Sequence, residues 1–252
     1  MNLRFPWTGA VFAAIALAAG CATTDVPDAN APRATSASAR IASIVANPIR
    51  TDADRALDAE RKPAQFLPFA GAAPGMHVLD VSTGGGYTSQ LLALAVLPSG
   101  VLYAQTPRPG AAVMKRLADH PQADFVLAQR PFEDPVPPDA PKLDLVTLVL
   151  NYHDISYLPV DRAKMNKAIF DALTPGGHYV IVDHSSRPGR GISEGKTLHR
   201  IDEAVVKREV EQAGFKLEAE GDFLRNPADP RDTPSSHPAV PTDKFALRFV
   251  KP

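Results

Sequence analysis

The feature that most constrains this chain is a short apolar run, His77-Val78-Leu79-Asp80-Val81, that passes through Ser82-Thr83-Gly84-Gly85-Gly86 into an apolar helical stretch over residues 87–96. It reads as strand, glycine-rich turn, helix. Glycines at the end of a strand let the backbone approach a ligand closely, and the helix that follows offers unpaired N–H groups to a carboxylate or phosphate. The turn therefore suits a nucleotide-like ligand.

Helical and strand signals alternate along the rest of the chain, the pattern of a sheet covered by helices on both faces. Upstream, residues 52–70 read as two short helices separated at Pro63. Downstream, strands are expected at residues 101–105, 125–128, 143–150, 179–183, 215–220 and 244–250. Helices are expected at residues 111–119, 162–173 and 202–213, the last closed by Gly214. Residues 143–150 form the most apolar run after the N-terminal segment and suit a central strand buried on both faces. Thr174-Pro175-Gly176-Gly177 stops the preceding helix. The last two strands are joined without a helix, which makes the seventh antiparallel. The expected fold is α/β: a doubly wound, mostly parallel seven-stranded sheet with an antiparallel last strand and helices on both faces. The loop carrying Pro227, Pro230, Pro234, Pro238 and Pro241 reads as a surface excursion rather than a lid.

A length of 252 residues suits one such domain. The net charge of −1 provides no field favouring nucleic acid or an anionic membrane surface. At the N-terminus, Arg4 precedes an apolar run over residues 7–19 that is too short to span a bilayer. Leu17-Ala18-Ala19-Gly20-Cys21 then resembles a bacterial lipobox. The resemblance implies a lipoprotein signal peptide over residues 1–20 and lipidation of Cys21, the only cysteine. It also implies an exported protein anchored to the bacterial envelope, facing the periplasm and touching the membrane only through that lipid. Residues 21–40, rich in Ala, Thr, Ser, Pro and Asp, read as a flexible tether. Residues 41–252 form the domain.

The string from Val78 to Thr88 resembles the first motif of class I S-adenosylmethionine-dependent methyltransferases. Ser82 stands where that family has its first glycine, a place a serine fills at negative φ, and Gly84 and Gly86 match the second and third. The strand ending at Gln105-Thr106 resembles the second motif, with Thr106 where an acidic residue normally holds the ribose. Residues 143–150 followed by Asn151-Tyr152-His153-Asp154 resemble the fourth motif, which lies under the reactive methyl group. The resemblance covers residues 41–251 and extends to a bacterial group of exported methyltransferases. It implies S-adenosyl-L-methionine as cofactor, held by Asp80, Ser82, Gly84, Gly85, Gly86, Tyr87, Gln105 and Thr106, and methyl transfer to a small-molecule acceptor. Asn151, Tyr152, His153 and Asp154 are the catalytic candidates: His153 as a proton acceptor, and Tyr152 or Tyr87 presenting a ring to the sulfonium. Arg61, Lys62, His199 and Arg200 are candidates for an anionic group, though each is also an ordinary solvated charge, and His184 for the pocket wall. The seven histidines show no metal-ligand spacing. The rival reading is a non-catalytic lipoprotein that uses the same fold as a ligand-binding or interaction module. A dinucleotide oxidoreductase is disfavoured by the missing Gly-x-Gly-x-x-Gly spacing.

Overall fold

The computed structural model describes Met1, Asn2 and residues 31–252. The signal-peptide and Cys21 readings lie outside the described residues. Helix α1 (Ala31–Val45) takes in residues 31–40, which the composition had assigned to the tether. Alanine favours the helical state, and Ile41 and Ile44, three residues apart, give the helix one apolar edge that packs on the core. Arg40 adds a hydrogen bond to the Ala95 carbonyl. No helix among the described residues is long and apolar enough to cross a membrane.

Helix α2 (Asp52–Arg61) begins in a capping box: the Thr51 hydroxyl accepts from the Asp54 N–H and the Asp54 carboxylate accepts from the Thr51 N–H. It ends at Lys62 in the left-handed region, and Pro63 opens α3 (Pro63–Ala70), as the proline predicts. Then follow β1 (His77–Val81), α4 (Tyr87–Val96), β2 (Val101–Thr106), α5 (Ala111–Asp119), β3 (Phe125–Gln129) and β4 (Leu143–Val149). The second half contains α6 (Tyr152–Ile155), α7 (Arg162–Ala172), β5 (Leu173–His184), α8 (Gly195–Leu198), α9 (Glu203–Gln212), β6 (Lys216–Gly221) and β7 (Lys244–Val250). The single-turn helices α6 and α8 are too short for an apolar period to mark them.

The seven strands form one sheet in the order β3-β2-β1-β4-β5-β7-β6. β7 is antiparallel to both neighbours, and the pairs among β1 to β5 are parallel. This is the expected α/β sheet, with β7 inserted between β5 and β6. The turn expected at residues 174–177 is a bulge within β5: Leu143 faces Leu173 while Leu145 faces His178. One face of the sheet packs Val78, Leu102, Val180 and Val182 against α1, α3 and α4. The other packs Leu79, Val81, Ile181 and Leu247 against α6, α7 and α9. The Pro-rich loop after β6 is pinned to the surface by Arg200 and Asp229, in keeping with the surface reading.

Candidate functional site

The C-terminal ends of β1 and β4 open into a cleft of about 600 Å³, walled by α2 and α5 and floored by the glycine turn. Ligands collect at this edge of open α/β sheets. Gly84 (φ 55°) and Gly86 (φ 86°) occupy the left-handed region. A Cβ at Gly84 would make only an ordinary contact, 3.9 Å from the Ser82 carbonyl oxygen, whereas one at Gly86 would lie 2.9 Å from Arg116 Nε. Asp80 lines the cleft, but its carboxylate is committed: Ser89 Oγ donates to it at 2.5 Å and Thr147 Oγ1 at 2.6 Å. It ties α4 and β4 to the end of β1. Burial raises its pKa to about 6, against those two hydrogen bonds.

Ser82 departs from the sequence reading, because its φ is +63° rather than negative. Such a backbone costs an L-residue about 1–2 kcal/mol. It is held by two hydrogen bonds: the Ser82 N–H donates to Gln105 Oε1 at 2.9 Å, and Ser82 Oγ donates to Asn151 Oδ1 at 2.7 Å. Lys62, Leu150 and His199 also sit at positive φ. Non-glycine strain of this kind persists where the surroundings over-determine it, often at functional sites.

Gln105 and Thr106 lie outside the cleft wall and are engaged with their neighbours. Gln105 is fully buried, accepting from Ser82 and donating to the Arg130 carbonyl at 2.7 Å. Thr106 donates to the Arg108 carbonyl at 3.1 Å, and neither residue borders the cleft. The end of β2 thus offers no carboxylate for a ribose. Tyr87 is equally committed: its hydroxyl donates to Asp58 at 2.7 Å, and the Arg50 and Arg61 guanidiniums lie 5.4 and 4.8 Å from its ring centre. Tyr87 borders the cleft with those two cations against its ring.

Arg50 is paired with Asp58, and Arg116 is bidentate to Asp54 while also donating to the Gly85 carbonyl. Arg61 is different. It lines the cleft, and among the described residues no hydrogen bond or ion pair holds it; its Nε is buried without a partner. Lys62 points elsewhere, donating to the Phe223 carbonyl. The Asp54–Arg116 pair that walls the cleft escaped the sequence reading. Its members lie 62 residues apart, and no local pattern signals them.

Beyond β4, Asn151 lines the cleft and donates to Asp154 Oδ2 at 3.0 Å. Tyr152 turns into the core, where its hydroxyl donates to Glu209 and accepts from Asn166. Burial, then the nearby Glu209 charge, hold that phenol far above its usual range, and the side chain has no exposed surface and does not border the cleft. His153 is buried beside the cleft rather than in its wall. Its Nδ1 lies 2.6 Å from Asp183 Oδ1 and its Nε2 lies 3.3 Å from Asp154 Oδ1. Burial disfavours the charged ring, but Asp183 and then Asp154 outweigh it and raise the pKa to about 10. An imidazole held in its protonated form by two carboxylates is a poor base, so this geometry favours an orienting role for His153 over proton acceptance.

Asp154 gathers its neighbours on one oxygen. His199 Nδ1 and the Tyr157 hydroxyl each lie 2.9 Å from Asp154 Oδ1. The donor atoms of His153, Asp154 and His199 all fall within 4.8 Å of one another, so the structure assembles a ligand-like group that the spacing concealed. Gly195 makes this possible: a Cβ there would lie 2.9 Å from the His153 carbonyl and 2.7 Å from Ser156 Oγ, so only glycine lets α8 approach α6. His184 contacts Thr242 at 2.9 Å, and burial, then Lys244, hold it neutral. Arg200 is fully buried against Asp229 and receives no ligand.

No protein-family model matches the chain, and no curated protein matches it by sequence. Solved structures do match. A SAM-dependent methyltransferase from Aquifex aeolicus superposes with TM-score 0.58 at 17% identity, over 78% of this chain and 93% of that one. The N-methyltransferase NodS from Bradyrhizobium japonicum gives 0.55 at 15% identity, over 78% and 97%. The glycopeptide N-methyltransferase MtfA, complexed with sinefungin, gives 0.53 at 19% identity, over 75% and 84%. At these identities the likeness concerns architecture, and this chain has the seven-stranded α/β fold of the class I, SAM-dependent methyltransferases.

Proposed function

We propose that the cleft binds S-adenosylmethionine and that the chain transfers its methyl group to a small-molecule acceptor. The observation that carries this reading is Arg61: an unpaired guanidinium with an orphaned buried Nε, facing a glycine turn at the C-terminal edge of the sheet. An uncompensated buried donor is costly and calls for an anionic acceptor. A ligand carboxylate would supply one. The fit is good for the amino-acid half of the cofactor, with Gly84 and Gly85 offering a side-chain-free floor beside Arg61 and a volume in the range of small-molecule sites. At the adenosine half, with Gln105 and Thr106 engaged elsewhere, the ribose has no charged partner from β2, and weaker affinity follows than a carboxylate would give.

When bound, the cofactor supplies an electrophilic methyl group. The protein's part is to orient the ligand and exclude water: Arg61 fixes the carboxylate, Asp80 locks the turn, and Ser82 and Asn151 join the ends of β1 and β4. Rate then derives from holding acceptor and methyl in line rather than from a side-chain base. Arg61→Met should weaken S-adenosylmethionine binding by about 10–100-fold while the domain still unfolds cooperatively, because a charge-assisted hydrogen bond contributes about 1.5–3 kcal/mol. Arg61→Lys should recover part of the loss. Equal affinity in wild type and Arg61→Met, measured by calorimetric titration, would remove the assignment.

On the sequence alone, the lipobox-like run ending at Cys21 supports an exported protein held to the bacterial envelope by a lipid. Fatty-acid labelling should vanish in Cys21→Ser; retained labelling would refute the anchor.

A further inference from the structure

Three potential ligand atoms converge beside the cleft: His153 Nε2, Asp154 Oδ1 and His199 Nδ1. Two ligands bound at about 2.0 Å in tetrahedral geometry lie about 3.3 Å apart. The observed separations from Asp154 Oδ1 are 3.3 Å to His153 and 2.9 Å to His199. Two of the three separations already suit an ion, and the third, between the imidazole nitrogens, is at most 4.8 Å and would close around it.

We propose that His153, Asp154 and His199 form a binding site for one divalent transition-metal ion of the zinc class. Three further observations point the same way. First, Asp183, fully buried, accepts from His153 Nδ1, which leaves the Nε2 lone pair directed at Asp154 once a metal replaces the proton. This is the carboxylate–histidine–metal arrangement that fixes a ligand's tautomer and orientation. Second, Asp154 Oδ1 faces three groups at once, His153, His199 and the Tyr157 hydroxyl, while Oδ2 is anchored by Asn151. A carboxylate oxygen has about two lone-pair sites, and an ion bonded to both imidazoles and Oδ1 would replace two of those three contacts with one.

Third, His199 is held at φ 51°, a backbone conformation that costs an L-residue, in the position that brings its ring to Asp154. Two imidazoles and one carboxylate favour zinc, cobalt or nickel over magnesium and calcium, which take mainly oxygen ligands. The side chains of Asp154 and His199 are 29% and 38% exposed, so an ion can enter from solvent and a fourth position remains for water or a ligand. The site does not depend on cofactor binding, and Asn151 links it to the cleft wall.

The test is a titration of the full chain, freed of metal by chelation, with Co²⁺ as a visible probe. One equivalent should develop ligand-field absorption that one equivalent of Zn²⁺ abolishes. The signal should persist in Cys21→Ser, which removes the only thiol. Asp183→Asn should weaken binding by about 10–100-fold, and His199→Ala and Asp154→Asn by more. Absence of absorption at millimolar Co²⁺ in the wild type overturns the proposal without reference to any variant. So does an undiminished signal in a folded His199→Ala protein, or loss of the signal in Cys21→Ser.

Discussion

Replacing Arg200 by leucine is expected to cost about 3–5 kcal/mol, a large share of the roughly 5–15 kcal/mol that holds an ordinary domain folded. Arg200 has no exposed surface and donates to both Asp229 oxygens and to the carbonyls of Ser185 and Thr233. It joins the loop after β5 to the Pro-rich loop before β7. Removing it strands the Asp229 carboxylate, which retains only the backbone N–H donors of Arg231 and Asp243. An uncompensated buried charge is the costly product. Arg200→Leu combined with Asp229→Asn removes that charge while keeping an acceptor oxygen for one of those two N–H groups, and should recover part of the loss. Urea denaturation of the three proteins measures both changes. A single variant within about 1 kcal/mol of wild type would show that the pair carries little of the fold.

The second large effect is a pH dependence centred on Asp80. Burial raises its carboxyl to about 6, whereas an unfolded aspartate titrates near 3.9. Between these values the folded protein binds the extra proton, so the contribution of Asp80 to stability is greatest below about pH 4, falls as pH rises, and is fully lost above about pH 6. The change amounts to roughly 3 kcal/mol. Asp80→Asn stays neutral and can still accept from Ser89 or Thr147, so it should lack this slope. Groups common to both proteins cancel in the comparison. From pH 4 to pH 7.5, the stability of wild type relative to Asp80→Asn should therefore fall by about that amount. Parallel stability curves would mean that the Asp80 charge is compensated in a way the two hydroxyls do not explain.

What the sequence disclosed was local. The glycine turn, the break at Pro63 and the limits of β7 are written in residue spacing, and the structure reproduces them. An unbroken apolar run marks a strand buried on both faces, and a connection without a helix marks an antiparallel return, so the buried β4 and the antiparallel β7 were readable. The site was less so. Arg61 and Arg200 are alike as residues, yet one is unpaired in a cleft and the other is locked in the interior; only their distant neighbours distinguish them. Gln105 resembles a ligand until its amide is seen bridging Ser82 and Arg130. Tyr152 and His153 are adjacent in the chain, but the single turn of α6 sends one toward Glu209 and the other toward Asp183. His199 reaches Asp154 across 45 residues, a contact that depends on the missing side chain of Gly195.

Calorimetric titration of the full chain with S-adenosylmethionine tests the central claim most directly. One saturable site per chain is predicted, with a Kd below about 1 mM, corresponding to at least about 4 kcal/mol of binding free energy. Competition by S-adenosylhomocysteine should follow. No heat at millimolar cofactor, from protein shown to unfold cooperatively, would contradict the assignment of the cleft.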